Sequence, residues 1–389
     1  MIVGAGIGGL SAAITLARKG FRVVVLEQAP QLEETGAGIQ LSPNATRILL
    51  DLGLGDALRP HVVVPEEIRI RQARTGDDIV RVQLGEFAEN RYGAPYWVAH
   101  RSDVQAALAE AARAHPDIDL KLDAVVEDFA LHGHGLTVAG RIGGKTFEER
   151  GIGLVGADGL WSTTRARLGD PEPPGFAGRT AWRAVVPVSS VGVHFRVPLV
   201  NLWLGWKAHL VHYPVKGGAL VNIVAIVTDT FTKEGWSEPG SREEILARFS
   251  SRFWAEPART LLAVPEQWVK WALCDRAPVR RWGTGPVTLL GDAAHPMLPF
   301  LAQGAAMALE DAIVLGECLD PAQHISIGMR RYESLRHRRT ARAQRAARKN
   351  GRRFHLVGPD AALRNFILRQ RGGYSLIRRY DWVYKWRLE

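Results

Sequence analysis

The chain has 389 residues, 46% of them hydrophobic and 23% charged, which allows two packed domains and is ordinary for a globular protein. Two cysteines, Cys274 and Cys318, exclude a disulfide framework, a cysteine-held metal cluster and a C-x-x-C dithiol, so no metal site is expected. No apolar run approaches the roughly 20 residues of a membrane span and no leader precedes the first glycine motif, so a cytoplasmic protein without membrane contact is expected.

The chain opens on Met1-Ile2-Val3 and turns at once into Gly4-Ala5-Gly6-Ile7-Gly8-Gly9. A helical pattern over Leu10 to Lys19 follows, then an apolar run from Phe21 to Leu26 that ends at Glu27 and Gln28. Triplet, helix, strand and acid in that order make the dinucleotide-binding fingerprint. Gly4 permits the tight turn, Gly6 lets backbone approach a pyrophosphate, Gly9 lets helix and strand pack, and Glu27 meets a ribose hydroxyl. Only three residues precede Gly4, fewer than the ~5–6 of an average strand, so the first strand is expected to be short.

Gly36 to Gln40 forms a second glycine-bearing turn, before a helix capped near Ser42-Pro43. Residues 62–99 alternate in short extended runs. A helix opens at Arg101, with Ser102 or Asp103 as its expected cap. Runs near Leu120–Ala130, Leu136–Ile142 and Phe147–Arg150 predict a meander. A buried strand then ends in Ala157-Asp158-Gly159-Leu160-Trp161-Ser162, with Arg165 three residues beyond the serine.

Pro171 to Gly175 is the strongest break in the chain. Beyond it, four β-type runs (181–188, 199–204, 208–214 and 219–227) predict a mostly antiparallel sheet. A period of two puts His209 and Tyr213 on one face of their strand and His212 on the other. A helix over 242–253 and a strand over 269–274 follow. Val287 to Leu290 then ends at Gly291-Asp292, the carboxyl end of a strand, where open α/β sheets place ligands. Pro296 and Pro299 hold an irregular loop, and a helix starts near Gly304-Ala305, its free N–H groups and positive dipole end suited to an anionic group.

The expected fold is α/β: a Rossmann-like cofactor domain from residues 1–175 and 275–320, an inserted antiparallel sheet domain at 176–274, and a helical region at 321–389. That last region, with 18 Lys and Arg against 4 Asp and Glu, is a local +14 that exceeds the chain's net charge of +10 and leaves about −4 for the remainder. A solvated amphipathic helix with Tyr332, Leu335 and Ala343 inward explains it. No nucleic-acid module is present, and nucleic acid is not expected as a partner.

The Gly4–Glu27 fingerprint, the Asp158-Gly159…Ser162…Arg165 run and the Gly291-Asp292 run occur in an order and spacing that resembles the class A FAD-dependent monooxygenases of the p-hydroxybenzoate hydroxylase type. GDAAHPMLPFLAQGAAMALEDA, YPVKGGALVNIVAIV and RYDWVYKW resemble the salicylate, 3-hydroxybenzoate and 6-hydroxynicotinate hydroxylase branch. The resemblance implies FAD as cofactor, NADH or NADPH and O₂ as co-substrates, and an aromatic substrate hydroxylated through a flavin hydroperoxide, in a monomer or homodimer.

By the same resemblance, Gly4, Gly6, Ile7, Gly8, Gly9, Glu27, Gln28 and Arg101 would hold FAD. Asp158 would serve the region shared with NAD(P)H, Asp292 the ribityl or pyrophosphate part, and Pro299, Gly304 and Ala305 the flavin. His209 and Tyr213 match a His-x-x-x-Tyr pair that draws the phenol proton; a polar pair on a sheet face is the bland alternative. Arg183 is the candidate for a substrate carboxylate. Pro299 and Phe300 would flank the substrate, where some members carry a polar side chain. A tailoring monooxygenase for a larger ring, and a flavin-binding protein without oxygenation, are the other readings.

Overall fold

The computed structural model describes residues 1–32, 37–230 and 238–388. Of the second glycine-bearing turn, Gly36 lies outside those residues.

Five short apolar strands build a parallel sheet in the order Val287–Leu289, Leu154–Gly156, Ile2–Val3, Val23–Leu26, Ile118–Lys121. Parallel strands need crossover connections, and helices Ile7–Arg18 and Arg101–Ala114 bury Leu10, Ile14, Val104 and Leu108 against the sheet. The consequence for function is geometric. Gly4, Glu27, Asp158 and Gly291-Asp292 each follow the carboxyl end of one of these strands, so the sequence motifs gather at one edge. The Ile118–Lys121 strand, expected within the meander, belongs to this sheet instead. The meander itself is Ala124–His132, Gly135–Ile142 and Lys145–Gly151.

A second sheet has eight strands: Glu238–Ser241, Gln267–Asp275, Gly175–Pro187, Leu220–Thr228, Ala208–Val215, Leu199–Gly205, Glu67–Gln72 and Asp78–Gln83. Its last two come from far outside 176–274, and Glu67–Gln72 joins through the sheet's one parallel pairing, to Leu199–Gly205. Period-two alternation divides its faces. Trp182, Trp203, Leu210, Ile223 and Trp268 pack outward with Ile245 and Leu261 of the helices Arg242–Arg248 and Glu256–Ala263. These are two helices where one was expected. The opposite face, with Arg183, His209, Val211, Tyr213 and Val224, closes over the carboxyl edge of the parallel sheet.

The helix at Arg101 is capped two or three residues earlier than expected: its N-cap is His100, without a side-chain cap bond, in place of Ser102 or Asp103. Ser102 binds the His100 ring at 2.6 Å, and Asp103 pairs with Lys216. The basic region forms a 30-residue helix, Ile325–Phe354, then Gly358–Arg378. Tyr332 and Ala343 are buried as the pattern predicts, but Leu335 is 55% exposed. Arg336 takes the core position, since it lies 40° from Tyr332 around an ideal helix whereas Leu335 lies ~60° to the other side. No described helix is long and apolar enough to cross a membrane.

Candidate active site

Between the two sheets lies a cavity of about 570 Å³. Its floor is the glycine turn. Gly4 has φ +101, and a Cβ there would sit 2.5 Å from the Ala157 carbonyl oxygen, so no other residue fits without displacement. At Gly9 a Cβ would stand 1.9 Å from the Gly4 oxygen, which is how helix and turn pack so closely. Gly6 faces open space, lines the cavity, and starts helix Ile7–Arg18 with no side chain capping its first N–H groups. Open space before free helical N–H groups is a cradle for a pyrophosphate. Ile7 and Gly8 line it too.

Glu27 stands at the rim beside Gln28. Its carboxylate accepts Ala5 N–H at 2.7 Å and Ala29 N–H at 2.9 Å, which ties the glycine turn to the neighbouring strand end. Asp158, expected to serve the region shared with NAD(P)H, lines the cavity, and its oxygens also hold its own loop. They accept Ser162 Oγ at 2.5 Å, Thr164 N–H at 2.9 Å and Thr164 Oγ1 at 2.9 Å. Gly159, Trp161 and Thr163 reach the cavity beside it. Arg165 is fully committed: it binds Asp170 and donates to the Ala293 and Ala294 carbonyls, which joins this loop to the Gly291 turn.

Asp292 projects into the cavity. Enclosure by protein pushes its carboxyl up, while His295 and Arg101 draw it back. Helix Gly304–Cys318 begins close by, since a Cβ added at Gly304 would lie 3.9 Å from Asp292 Oδ1. Pro299, Gly304 and Ala305 line the cavity, and so do Ala302, at φ +52, and Gln303, which sequence reasoning passed over. Phe300, expected against substrate, is turned away. The 3₁₀ turn Pro299–Leu301 presents Pro299 to the cavity and packs Phe300 on Gly351, behind His209.

On the sheet wall, Arg183, His209 and Tyr213 share the face above this floor. Arg183 Nε is buried without a hydrogen-bond partner, and the guanidinium lies 5.3 Å from the Trp271 ring centroid. Burial, and then the like charge of Arg101, lower it to about 10, so it stays cationic at neutral pH. Burial raises the Tyr213 phenol well above its ordinary value and keeps it protonated; Arg183 and Gln40 oppose that shift. His209 is pushed well below the ordinary histidine range, by burial first and then by His355 and Arg179. The wall thus offers a cation and two neutral rings that can donate hydrogen bonds. Among the described residues no cluster of His, Cys, Asp or Glu could hold a metal ion.

Comparison with known proteins agrees with this geometry. A family model described as "FAD binding domain" matches residues 1–350. A 3-hydroxybenzoate 6-hydroxylase of Klebsiella oxytoca is 37% identical over 100% of this chain and 96% of its own length. A 3-amino-4-hydroxybenzoate 2-monooxygenase of Streptomyces platensis is 38% identical over 98% of this chain and 94% of its own. Among solved structures, a salicylate hydroxylase substrate complex superposes with a TM-score of 0.82 at 26% identity, covering 99% of this chain and 95% of that one. With the cradle and these relatives together, the chain belongs to the FAD-binding family of class A monooxygenases and is an FAD-dependent aromatic-ring hydroxylase.

Proposed function

We propose that the chain hydroxylates a phenolic ring bearing a carboxylate, a hydroxybenzoate-type anion, using NADH or NADPH and O₂. Arg183 carries this reading. A cation on the cavity wall, with a buried Nε left unpaired, is costly unless an anion completes it. The named substrates of the hydroxybenzoate hydroxylases to which this chain is similar have that charge.

FAD would lie along the parallel-sheet edge, in a lobe built from residues 1–175 and 275–320 apart from the Glu67–Gln72 and Asp78–Gln83 strands, which belong to the facing sheet. The Gly4–Gly9 turn and helix N-terminus would hold its pyrophosphate, Glu27 a ribose hydroxyl, Asp292 the ribityl chain, and the Gly304 and Ala305 N–H groups the flavin. When bound and reduced, FAD supplies the oxygen-activating chemistry. The chain's own side chains orient the ring beneath the sheet wall, exclude water and stabilise the substrate's oxygens. Arg183 would take the carboxylate, while His209 and Tyr213 would meet the ring hydroxyl.

Two results are expected. Arg183→Met should weaken binding of 3-hydroxybenzoate roughly 10–100-fold, the worth of a hydrogen bond to a charged group, yet barely change binding of 3-hydroxybenzamide. Titration of the flavin absorbance measures both, and equal losses for the two ligands would refute the carboxylate assignment. Asp292→Ala should raise the dissociation constant for FAD by a similar ~10–100-fold with the circular dichroism spectrum preserved. Unchanged FAD affinity by fluorescence titration would remove Asp292 from the cofactor site.

A further inference from the structure

A hydrogen-bonded chain leaves the cavity through the back of His209. His209 Nδ1 lies 2.8 Å from His355 Nε2, and His355 Nδ1 receives Arg179 Nε–H at 3.0 Å. The Thr228 hydroxyl approaches that same His355 nitrogen at 3.4 Å. Arg179 is held in turn by the carbonyls of Ala177 and Gly351, each at 3.4 Å. His355 follows directly on helix Ile325–Phe354, and Arg364 fixes that junction by donating to the Arg353 and Phe354 carbonyls. Phe300 and Phe354 pack on the His209 ring with centroids 5.5 and 5.4 Å away.

The direction of each bond follows from the groups themselves. A guanidinium has N–H donors and no acceptor, so His355 Nδ1 must accept. A neutral His355 then carries its proton on Nε2 and donates it to His209 Nδ1. A neutral His209 must likewise carry its proton on Nε2, the nitrogen on the opposite side of the ring. Both rings are neutral at working pH. Burial, then Arg179 and Arg364, lower His355 to about 3, and His209 is lowered for the same kind of reason. The charged groups facing the pair, Arg179 and Arg364, are all cations, and no carboxylate is bonded to either ring among the described residues.

We infer that Arg179 and His355 are positioning residues that lock His209 with its Nε2–H toward the cavity, so that the site binds its phenolic substrate as the phenolate. On this account the substrate O–H bond breaks and its proton passes to solvent. His209 then donates a hydrogen bond to the oxygen that remains, alongside Tyr213 O–H. This reverses the expectation that His209 draws the proton itself. It rests on the proposed meeting of His209 with the ring hydroxyl.

The test has two arms on the FAD-loaded enzyme. The first is ¹⁵N NMR of the histidine rings without substrate. The Nε2–H tautomer is expected for His209 in the wild type. It should persist in His355→Gln, because Arg179 would bind the amide oxygen and leave the NH₂ for His209 Nδ1. In His355→Leu and Arg179→Met it should give way to a mixture. The second arm titrates bound 3-hydroxy-4-nitrobenzoate, whose phenolate is coloured. Its bound pKa should lie below the free value, rise by about one unit (tenfold) in His355→Leu, the worth of one ordinary hydrogen bond, and return in His355→Gln. A wild-type His209 protonated on Nδ1 overturns the proposal, whatever the probe does. So does a bound pKa that His355→Leu leaves unchanged. Failure of the probe to bind would count against the substrate reading alone, and the tautomer would still decide the relay.

Discussion

Arg336→Leu is expected to lower the free energy of unfolding by about 3–5 kcal/mol, as when one partner of a buried ion pair is removed. Arg336 is 1% exposed and sits between two carboxylates that are wholly buried. Its Nε donates to Asp311 Oδ1 at 2.6 Å, its Nη1 to Glu310 Oε2 at 2.7 Å, and its Nη2 to the Met307 carbonyl at 3.2 Å. Leucine would fill part of the volume, leave Asp311 with His295 as its one bonded ring or cation among the described residues, and leave Glu310 to Arg339, whose Nε and Nη2 donate to it at 2.6 and 2.7 Å.

The damage should reach the cofactor edge. Glu310 also receives Asn44 at 2.7 Å, and Asn44 donates in turn to the Gln303 side chain at 3.1 Å, at the start of helix Gly304–Cys318. Asp311 receives Gly291 N–H at 3.1 Å and His295 Nε2 at 2.5 Å, which fixes the turn carrying Asp292. Loss of FAD on warming should therefore occur at lower temperature in the variant. Arg336→Lys, with the charge but not the fork, should fall between the two.

The pH dependence has a definite sign. Burial alone would raise the Asp311 carboxyl, but His295 and Arg336 more than offset that and hold it below the ordinary value. A depressed native pKa stabilises the fold above the unfolded carboxylate value of ~3.9 and ceases to do so as pH falls through the native one. The gap between wild type and Arg336→Leu should thus be widest near neutrality and narrow below about pH 4. Urea denaturation of the holoenzyme across pH measures it, and a loss under ~1 kcal/mol at pH 7 would show that the acids find other partners.

This network also marks where sequence reading stops. The glycine turn, Glu27 and the Gly291-Asp292 turn are legible because each is a local device: a strand, a turn and a helix within a few residues. His209 and Tyr213 are legible because period two alone puts them on one face. Arg336 is not, because a basic residue in a basic helix looks solvated until two acids on another helix are known to meet it. The Glu67–Gln72 strand fails for the same reason. Its parallel pairing with Leu199–Gly205 spans more than a hundred residues and leaves no local trace.

His355 was hidden most completely. It stands 146 residues from His209 and lies in a tail whose composition suggests only a charged surface. Phe300 was misread in the opposite sense. Its place in the proline loop implied contact with substrate, whereas the 3₁₀ turn directs it into the aromatic packing behind His209. Asp158 lies between the two cases. The motif marks a loop whose carboxylate lines the cavity, and what the motif does not reveal is that the same carboxylate shapes the loop through Ser162 and Thr164.

His209→Leu is expected to slow ring hydroxylation by about 10²–10³-fold, the usual cost of removing one preorganised donor to an anionic oxygen, while NAD(P)H reduces FAD at a near-normal rate. The ring is 2% exposed and packed by Phe300 and Phe354, so His209→Ala would also open a void and confuse stability with chemistry. Leucine keeps much of the volume without a donor. His209→Gln keeps both volume and an N–H, and should recover a good part of the rate. A phenol that ionises poorly in the variant site should ionise on its own as the medium becomes more alkaline, so raising the pH should partly restore His209→Leu. The measurement is single-turnover product formation when O₂ is mixed with reduced enzyme and 3-hydroxybenzoate, with hydrogen peroxide release followed in parallel. Reduced flavin should still consume O₂ in the variant but discharge it as hydrogen peroxide. Equal hydroxylation in wild type and His209→Leu would remove His209 from the reaction and leave Tyr213 as the group that meets the ring hydroxyl.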